Sequence, residues 1–134
     1  VKRDFSNILN HWKEQKARLP LILEGARQVG KTYLLKSWGR EKLKNVHYFN
    51  FDRDGQLKEI FANTKSLQSI IKNLEILFKI KISLADDLIF FDEIQTSNEA
   101  LNSLKYFAEE FPNSYIVTAG SLLGLPQAVK RPQL

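Results

Sequence analysis

Residues 25–32 read Gly-Ala-Arg-Gln-Val-Gly-Lys-Thr, and no other stretch constrains the fold of this chain as tightly. The run satisfies G-x-x-x-x-G-K-[ST] at every fixed position. A β-favouring segment, Leu19 to Glu24, precedes it, and an apolar pattern at helical spacing follows. The glycines let a loop turn without a Cβ clash, so that backbone N–H groups converge on phosphate oxygens. A helix opening at about Lys31 adds the partial positive charge of its N-terminus. In that setting Lys31 reaches the β- and γ-phosphates of a nucleoside triphosphate, and the Thr32 hydroxyl takes one Mg²⁺ position. The expected nucleotide-contacting set is Gly25, Ala26, Arg27, Gln28, Val29, Gly30, Lys31, Thr32 and Tyr33. A plain glycine-bounded turn with a solvated lysine is the competing reading, and the strand–loop–helix context argues against it.

A phosphate loop of this kind requires an open parallel sheet, and the remaining sequence supplies one. Strand-like and helix-like segments alternate, the pattern of an α/β domain. Helices are predicted over residues 4–17, 31–43, 66–79 and 98–111, where apolar residues recur at i, i+3 and i+4. Strands are predicted at 21–23, 45–52, 87–93 and 114–120. Asp52-Arg53-Asp54-Gly55 reads as a turn closing the second strand. The third strand, DLIFFDE, is a continuous apolar run of the type found in the middle of a parallel sheet. Nothing repeats and no low-complexity linker divides the 134 residues, so a single domain is expected over 1–134.

Chemistry is concentrated where two of these strands end. Leu88 to Phe91 delivers Asp92 to a strand's C-terminal edge, the side on which ligands bind in open α/β sheets. Asp92 is expected to hold Mg²⁺ through its water shell. Glu93, the next residue, is placed to polarise a water for attack on the γ-phosphate. The fourth strand ends Thr118-Ala119-Gly120-Ser121. Thr118 or Ser121 is a candidate for sensing the γ-phosphate, and side-chain alternation lets only one of them face the site. Ser121 is equally readable as a helix cap.

Charge is unevenly distributed. Residues 1–50 carry 11 Lys and Arg against 4 Asp and Glu, and residues 51–134 carry 9 against 11, giving the net +5. A basic surface for nucleic acid is one reading; a phosphate-binding half with solvated lysines is the other. The linear sequence shows no aromatic–basic interleaving or reader motif in favour of the first. Cysteine is absent, which removes disulfides, thiolate metal sites and a cysteine nucleophile. His11 and His47 are too isolated for a metal site, and a structural role is expected for His47 within its strand. No apolar run approaches the roughly 20 residues of a membrane span, and the start lacks a signal-peptide pattern. A cytoplasmic location is the expectation.

Taken together, GARQVGKT, YFNFD, FFDEIQ, ALNSLKYFAEE and IVTAGSLLGL resemble the bacterial and archaeal AAA-type ATPases of the AAA_14 group over about Trp12 to Leu125. The resemblance implies a three-layer P-loop sheet of spatial order 2-3-4-1, with ATP and Mg²⁺ as cofactors. It places the catalytic glutamate at Glu93 and the sensor at Ser121, with Lys31 on the phosphates and Thr32 and Asp92 at the metal. Such ATPases carry a fifth strand, an arginine that completes a neighbour's site, and a further C-terminal region. The sequence begins at Val1 and stops soon after its fourth strand, so an N-terminal fragment lacking the fifth strand is expected. That strand's absence would leave the Leu21–Glu24 strand at an exposed edge. Partners implied are ATP and ADP, a second copy of the chain, and a DNA or protein client engaged through the further region. An interaction module that binds nucleotide without turnover, and a P-loop kinase, stay open as alternatives. The kinase lacks an evident arginine-rich lid.

Overall fold

The computed structural model describes residues 2–24, 29–64 and 66–120. In chain order these form helix α1 (Lys2–Lys13), strand β1 (Leu21–Glu24), helix α2 (Val29–Lys42), strand β2 (Val46–Asn50) and helix α3 (Gly55–Asn63). Helix α4 (Leu67–Phe78), strand β3 (Leu88–Asp92), a 3₁₀ turn (Ile94–Thr96), helix α5 (Asn98–Glu110) and strand β4 (Tyr115–Gly120) follow. All four strands are parallel and lie side by side as β1-β4-β3-β2. This is the expected order 2-3-4-1 read from the other edge. The predicted fifth-strand gap and the sensor position Ser121 lie outside the described residues.

Strand alternation sorts the core into two layers. On β3, Leu88 and Phe90 point towards α1 and α2, where Leu9, Trp12, Leu35 and Trp38 are buried. Ile89 and Phe91 point the other way, into a larger cluster built from α3, α4 and α5. Phe91 is the hub of that second layer: the rings of Phe49, Phe51, Phe61 and Phe107 lie 5.6–6.4 Å from its own. Such ring pairs add to stability beyond the area they bury. Both faces of β3 are therefore covered, which explains why its sequence is a continuous apolar run. On the first layer α2 packs close because of Gly39. A Cβ there would come within 2.6 Å of Leu88 and 2.7 Å of Val46.

Several boundaries depart from the sequence reading, each for a local reason. Helix α1 stops at Lys13, short of residue 17, because the Arg18 guanidinium takes the Lys13 and Gln15 carbonyls at 2.7 Å and turns the chain. β2 ends at Asn50, not 52, because the Asn50 side-chain oxygen accepts the Asp52 and Arg53 amides at 2.9 and 3.2 Å. Helix α3 was not expected. Asp54 caps it by accepting the Gln56 amide at 3.1 Å, and Leu57 and Phe61 fill the core at i and i+4. In α5 the buried apolar residues are Ala100, Leu101, Leu104 and Phe107, with Ala108 half-buried. β1 stands at the edge of the described sheet as expected, but Leu21, Ile22 and Leu23 are 0%, 0% and 5% exposed, so the unusual exposure expected of it is not observed.

Candidate functional site

Two segments far apart in sequence meet at the C-terminal ends of β2 and β3. The first is the opening of α2, which brings Thr32 and Tyr33 to the sheet's upper edge one turn before Lys36. The second is the end of β3, which brings Asp92 and Glu93. Together with Tyr48, Asn50, Asp52 and Arg53 they line one cleft of about 440 Å³. Four of the residues singled out from sequence, Thr32, Tyr33, Asp92 and Glu93, are thus brought together. Lys31 is half-buried in the first turn of α2 and is not in this lining. Gly30 is exposed, with open space where a Cβ would stand. Gly25, Ala26, Arg27, Gln28 and Ser121 lie outside the described residues, and of Val29 only its place in α2 is described. Thr118 is fully buried on the α3–α5 side, paired in register with Phe91 and Ile22, and its hydroxyl has no partner among the described residues.

Asp92 is anchored through both carboxylate oxygens. Its Oδ2 accepts the Tyr48 hydroxyl at 2.5 Å and its Oδ1 accepts the Glu93 amide at 3.0 Å. Tyr48 reaches it along a diagonal. Tyr48 pairs with Phe90 and Asn50 with Asp92, so the tyrosine lies one same-face step below the aspartate on the neighbouring strand. Burial raises the Tyr48 phenol, and the hydrogen bond to Asp92 raises it further, to about 12. The phenol therefore stays protonated and is the donor towards Asp92. Asn50 Nδ2 donates to the Tyr48 oxygen at 3.1 Å, and the Lys36 ammonium stands 3.7 Å from the tyrosine ring centre. A carboxylate has about four acceptor positions; two on Asp92 are used, leaving the rest for waters or a cation.

Glu93 leaves the sheet. Its backbone is left-handed, φ 55° and ψ 40°, which ends β3 and starts the 3₁₀ turn. For a residue with a Cβ this conformation is costly, and such costs cluster at ligand sites. The side chain is 8% exposed, and its Oε1 accepts Gln95 Nε2 at 2.8 Å. Gln95 in turn sits against Gly120 at the tip of β4, in the space a side chain there would occupy. The amide thus links the ends of β3 and β4.

Sequence reasoning did not single out Tyr48, Asn50, Lys36 or Gln95. Two signals pointed to them. Period-2 alternation puts Tyr48 and Asn50 on one face of β2, and Lys36 follows Thr32 by one helical turn. Choosing them required the β2–β3 register. Among the described residues no cluster of three or more His, Asp or Glu side chains is placed to hold a metal. His47 is structural, as expected: it donates to the buried Asp87 carboxylate at 2.9 Å. No described helix is long and apolar enough to cross a membrane.

No curated protein matches the chain. A family model described as an AAA domain, AAA_14, matches residues 17–132, which span all four strands and the whole cleft. The chain therefore belongs to the AAA_14 family of AAA domains and is a nucleotide-binding, ATPase-like module with a P-loop sheet.

Proposed function

We propose that the domain binds ATP with Mg²⁺ in the cleft between α2 and the ends of β2 and β3, and hydrolyses it slowly to switch the conformation of a partner. The observation that carries this is the meeting of Thr32 with Asp92 and Glu93 in one cleft, sixty residues apart in sequence. The donor set suits Mg²⁺, which takes one or two protein oxygens and completes its shell with phosphate oxygens and waters. Thr32 and Asp92 are the residues that would hold it; bound there, it would neutralise charge on the β- and γ-phosphates. Lys31 would add its ammonium to the same phosphates. Tyr48 and the Glu93 amide fix the Asp92 carboxylate in place before ligand arrives. Glu93 is the group that would orient and deprotonate the attacking water. Water is favoured over a small acceptor because β4 separates β1 from β3, the arrangement of hydrolytic P-loop sheets in the resemblance above. Slow turnover is favoured because Glu93 is nearly buried and already hydrogen-bonded to Gln95.

Calorimetry and single-turnover hydrolysis test both parts. Lys31→Ala removes a charge-assisted contact of about 1.5–3 kcal/mol, so ATP affinity should fall on the order of tenfold to a hundredfold. Glu93→Gln should keep affinity within about twofold while reducing hydrolysis by on the order of 10²–10⁴. Unchanged ATP affinity in Lys31→Ala would refute the binding site. Glu93-independent hydrolysis would refute the assigned base.

A further inference from the structure

A second concave feature adjoins the cleft. It holds about 530 Å³ and is lined by Lys36, Arg40, Lys44, Asn45, Val46 and Tyr48. Lys36 and Arg40 are separated by one turn of α2, and Lys44 follows just beyond the helix end. Tyr33, 64% exposed, precedes Lys36 by three residues and continues the same helix face. The opposite face of α2 holds Leu35 and Trp38 in the core, so this face is free to be polar. The floor is β2, the end strand of the sheet, with Tyr48 beneath the Lys36 ammonium. Arg40 and Lys44 are exposed. Among the described residues none of the three cations is in an ion pair; the neighbouring Glu41 faces Lys42 at 3.8 Å.

We propose that this groove binds the phosphodiester backbone of a single-stranded nucleic acid, with Lys36, Arg40 and Lys44 on successive phosphates and Tyr33 offering a face for a base. The charge alone does not choose among polyanions. The lining does. An acidic peptide is held by clustered cations alone and has no use for a stacking face, whereas here an exposed tyrosine accompanies the cations. A sequence-tolerant single-strand site combines a cationic groove with aromatic faces, and both occur on one helix face. Lys36 and Arg40 are separated by about 6 Å of helical rise, and Lys44 lies just beyond the helix end. Tyr33 and Lys36 also line the nucleotide cleft, whereas Arg40 and Lys44 lie outside it, so the test is placed on those two.

The test is fluorescence anisotropy of the full chain with a labelled oligothymidylate across a salt series. Three neutralised phosphates should give a slope of log K against log salt of about −2, and Arg40→Ala and Lys44→Ala should each reduce its magnitude by about 0.7. Both positions are exposed, so thermal melts should match the parent. Lys72→Ala, on the opposite layer, is the control and should leave the slope unchanged. Four results would overturn the proposal: slopes that ignore Arg40 and Lys44, equal loss in the Lys72 control, tighter binding of a duplex or of polyglutamate than of the single strand, or displacement by millimolar inorganic phosphate at constant ionic strength. The polyglutamate result would reassign the groove to an acidic protein, and the phosphate result to a free anion. Loss of ATP binding by Lys31→Ala would be unaffected in every case.

Discussion

At Gly120 the backbone has φ +142°, and the space of a side chain is taken by the Gln95 amide. Both facts exclude a Cβ, one through backbone strain and one through collision. Gly120→Ala should therefore lose about 2–4 kcal/mol of stability, read as a lower denaturant midpoint at unchanged m-value. Adding Gln95→Ala should restore the collision part and leave the strain part, so the two substitutions should couple in a double-mutant cycle. Strict additivity would show that Gln95 does not occupy that space in solution. The same amide holds Glu93, so one residue joins the geometry of the β4 tip to the group assigned to water activation.

Among the elements, the lower ends of β2 and β3 are joined by a buried carboxylate. Asp87, 1% exposed, accepts the Ser83 amide at 2.9 Å, Asn45 at 3.1 Å and His47 at 2.9 Å. Burial pushes this carboxyl up, but those hydrogen bonds outweigh it and hold it below its ordinary 3.8. Ionised Asp87 only accepts, so His47 Nε2 carries the proton between them. The sign for stability follows from the lowered value. As pH falls the unfolded chain takes up the proton first, so the contribution is complete above about pH 5 and is lost as pH drops through the folded value. Asp87→Asn should cost about 1–3 kcal/mol near neutrality, and the gap to the parent should narrow as pH is lowered through the acid range. A gap independent of pH would show that the carboxylate charge contributes nothing.

For the whole molecule, Arg18 decides whether α1 belongs to the same cooperative unit as the sheet. Its guanidinium donates to the carbonyls of Lys13, Gln15, Asn113 and Ser114 at 2.7–2.9 Å and stacks 3.8 Å from the Tyr115 ring. It thereby binds the end of α1 to the start of β4, nearly a hundred residues away. Trp12 and Trp38, the two tryptophans, face each other at 6.3 Å across the α1–α2 seam. Arg18→Ala should cost about 2–4 kcal/mol by leaving several buried carbonyls without donors. Its tryptophan fluorescence should change before far-UV ellipticity on heating, as α1 detaches first. Arg18→Lys should not rescue it, because an ammonium cannot serve four carbonyls in a fixed planar array. Coincident transitions in Arg18→Ala would refute the clamp.

Local patterns in the sequence were enough to place the strands and four of the five α-helices among the described residues. Phosphate-loop glycines, an apolar strand ending in Asp92-Glu93, and 3.6- and 2-residue periodicities are all written within short windows. The resemblance added the strand order. What short windows could not contain is anything that depends on register or on which faces meet. Tyr48 became Asp92's partner only once β2 and β3 were aligned. Arg18 meets its partner carbonyls at Asn113 and Ser114 only because β4 folds beside the end of α1. The basic half does interleave aromatics with cations, contrary to the expectation above: Tyr33 and Trp38 lie between Lys31, Lys36 and Arg40, and folding decides that Tyr33 is exposed and Trp38 buried. Helix α2 and the edge strand β2 put Tyr33 and Tyr48 among Lys36, Arg40 and Lys44. Helix α3 was legible and overlooked, since its Asp54 cap reads equally as a turn residue until Leu57 and Phe61 have a core to fill. Composition and periodicity are properties of neighbours in the chain; the cleft and groove are made by neighbours in space, and burial of the two apolar layers is the force that brings them together.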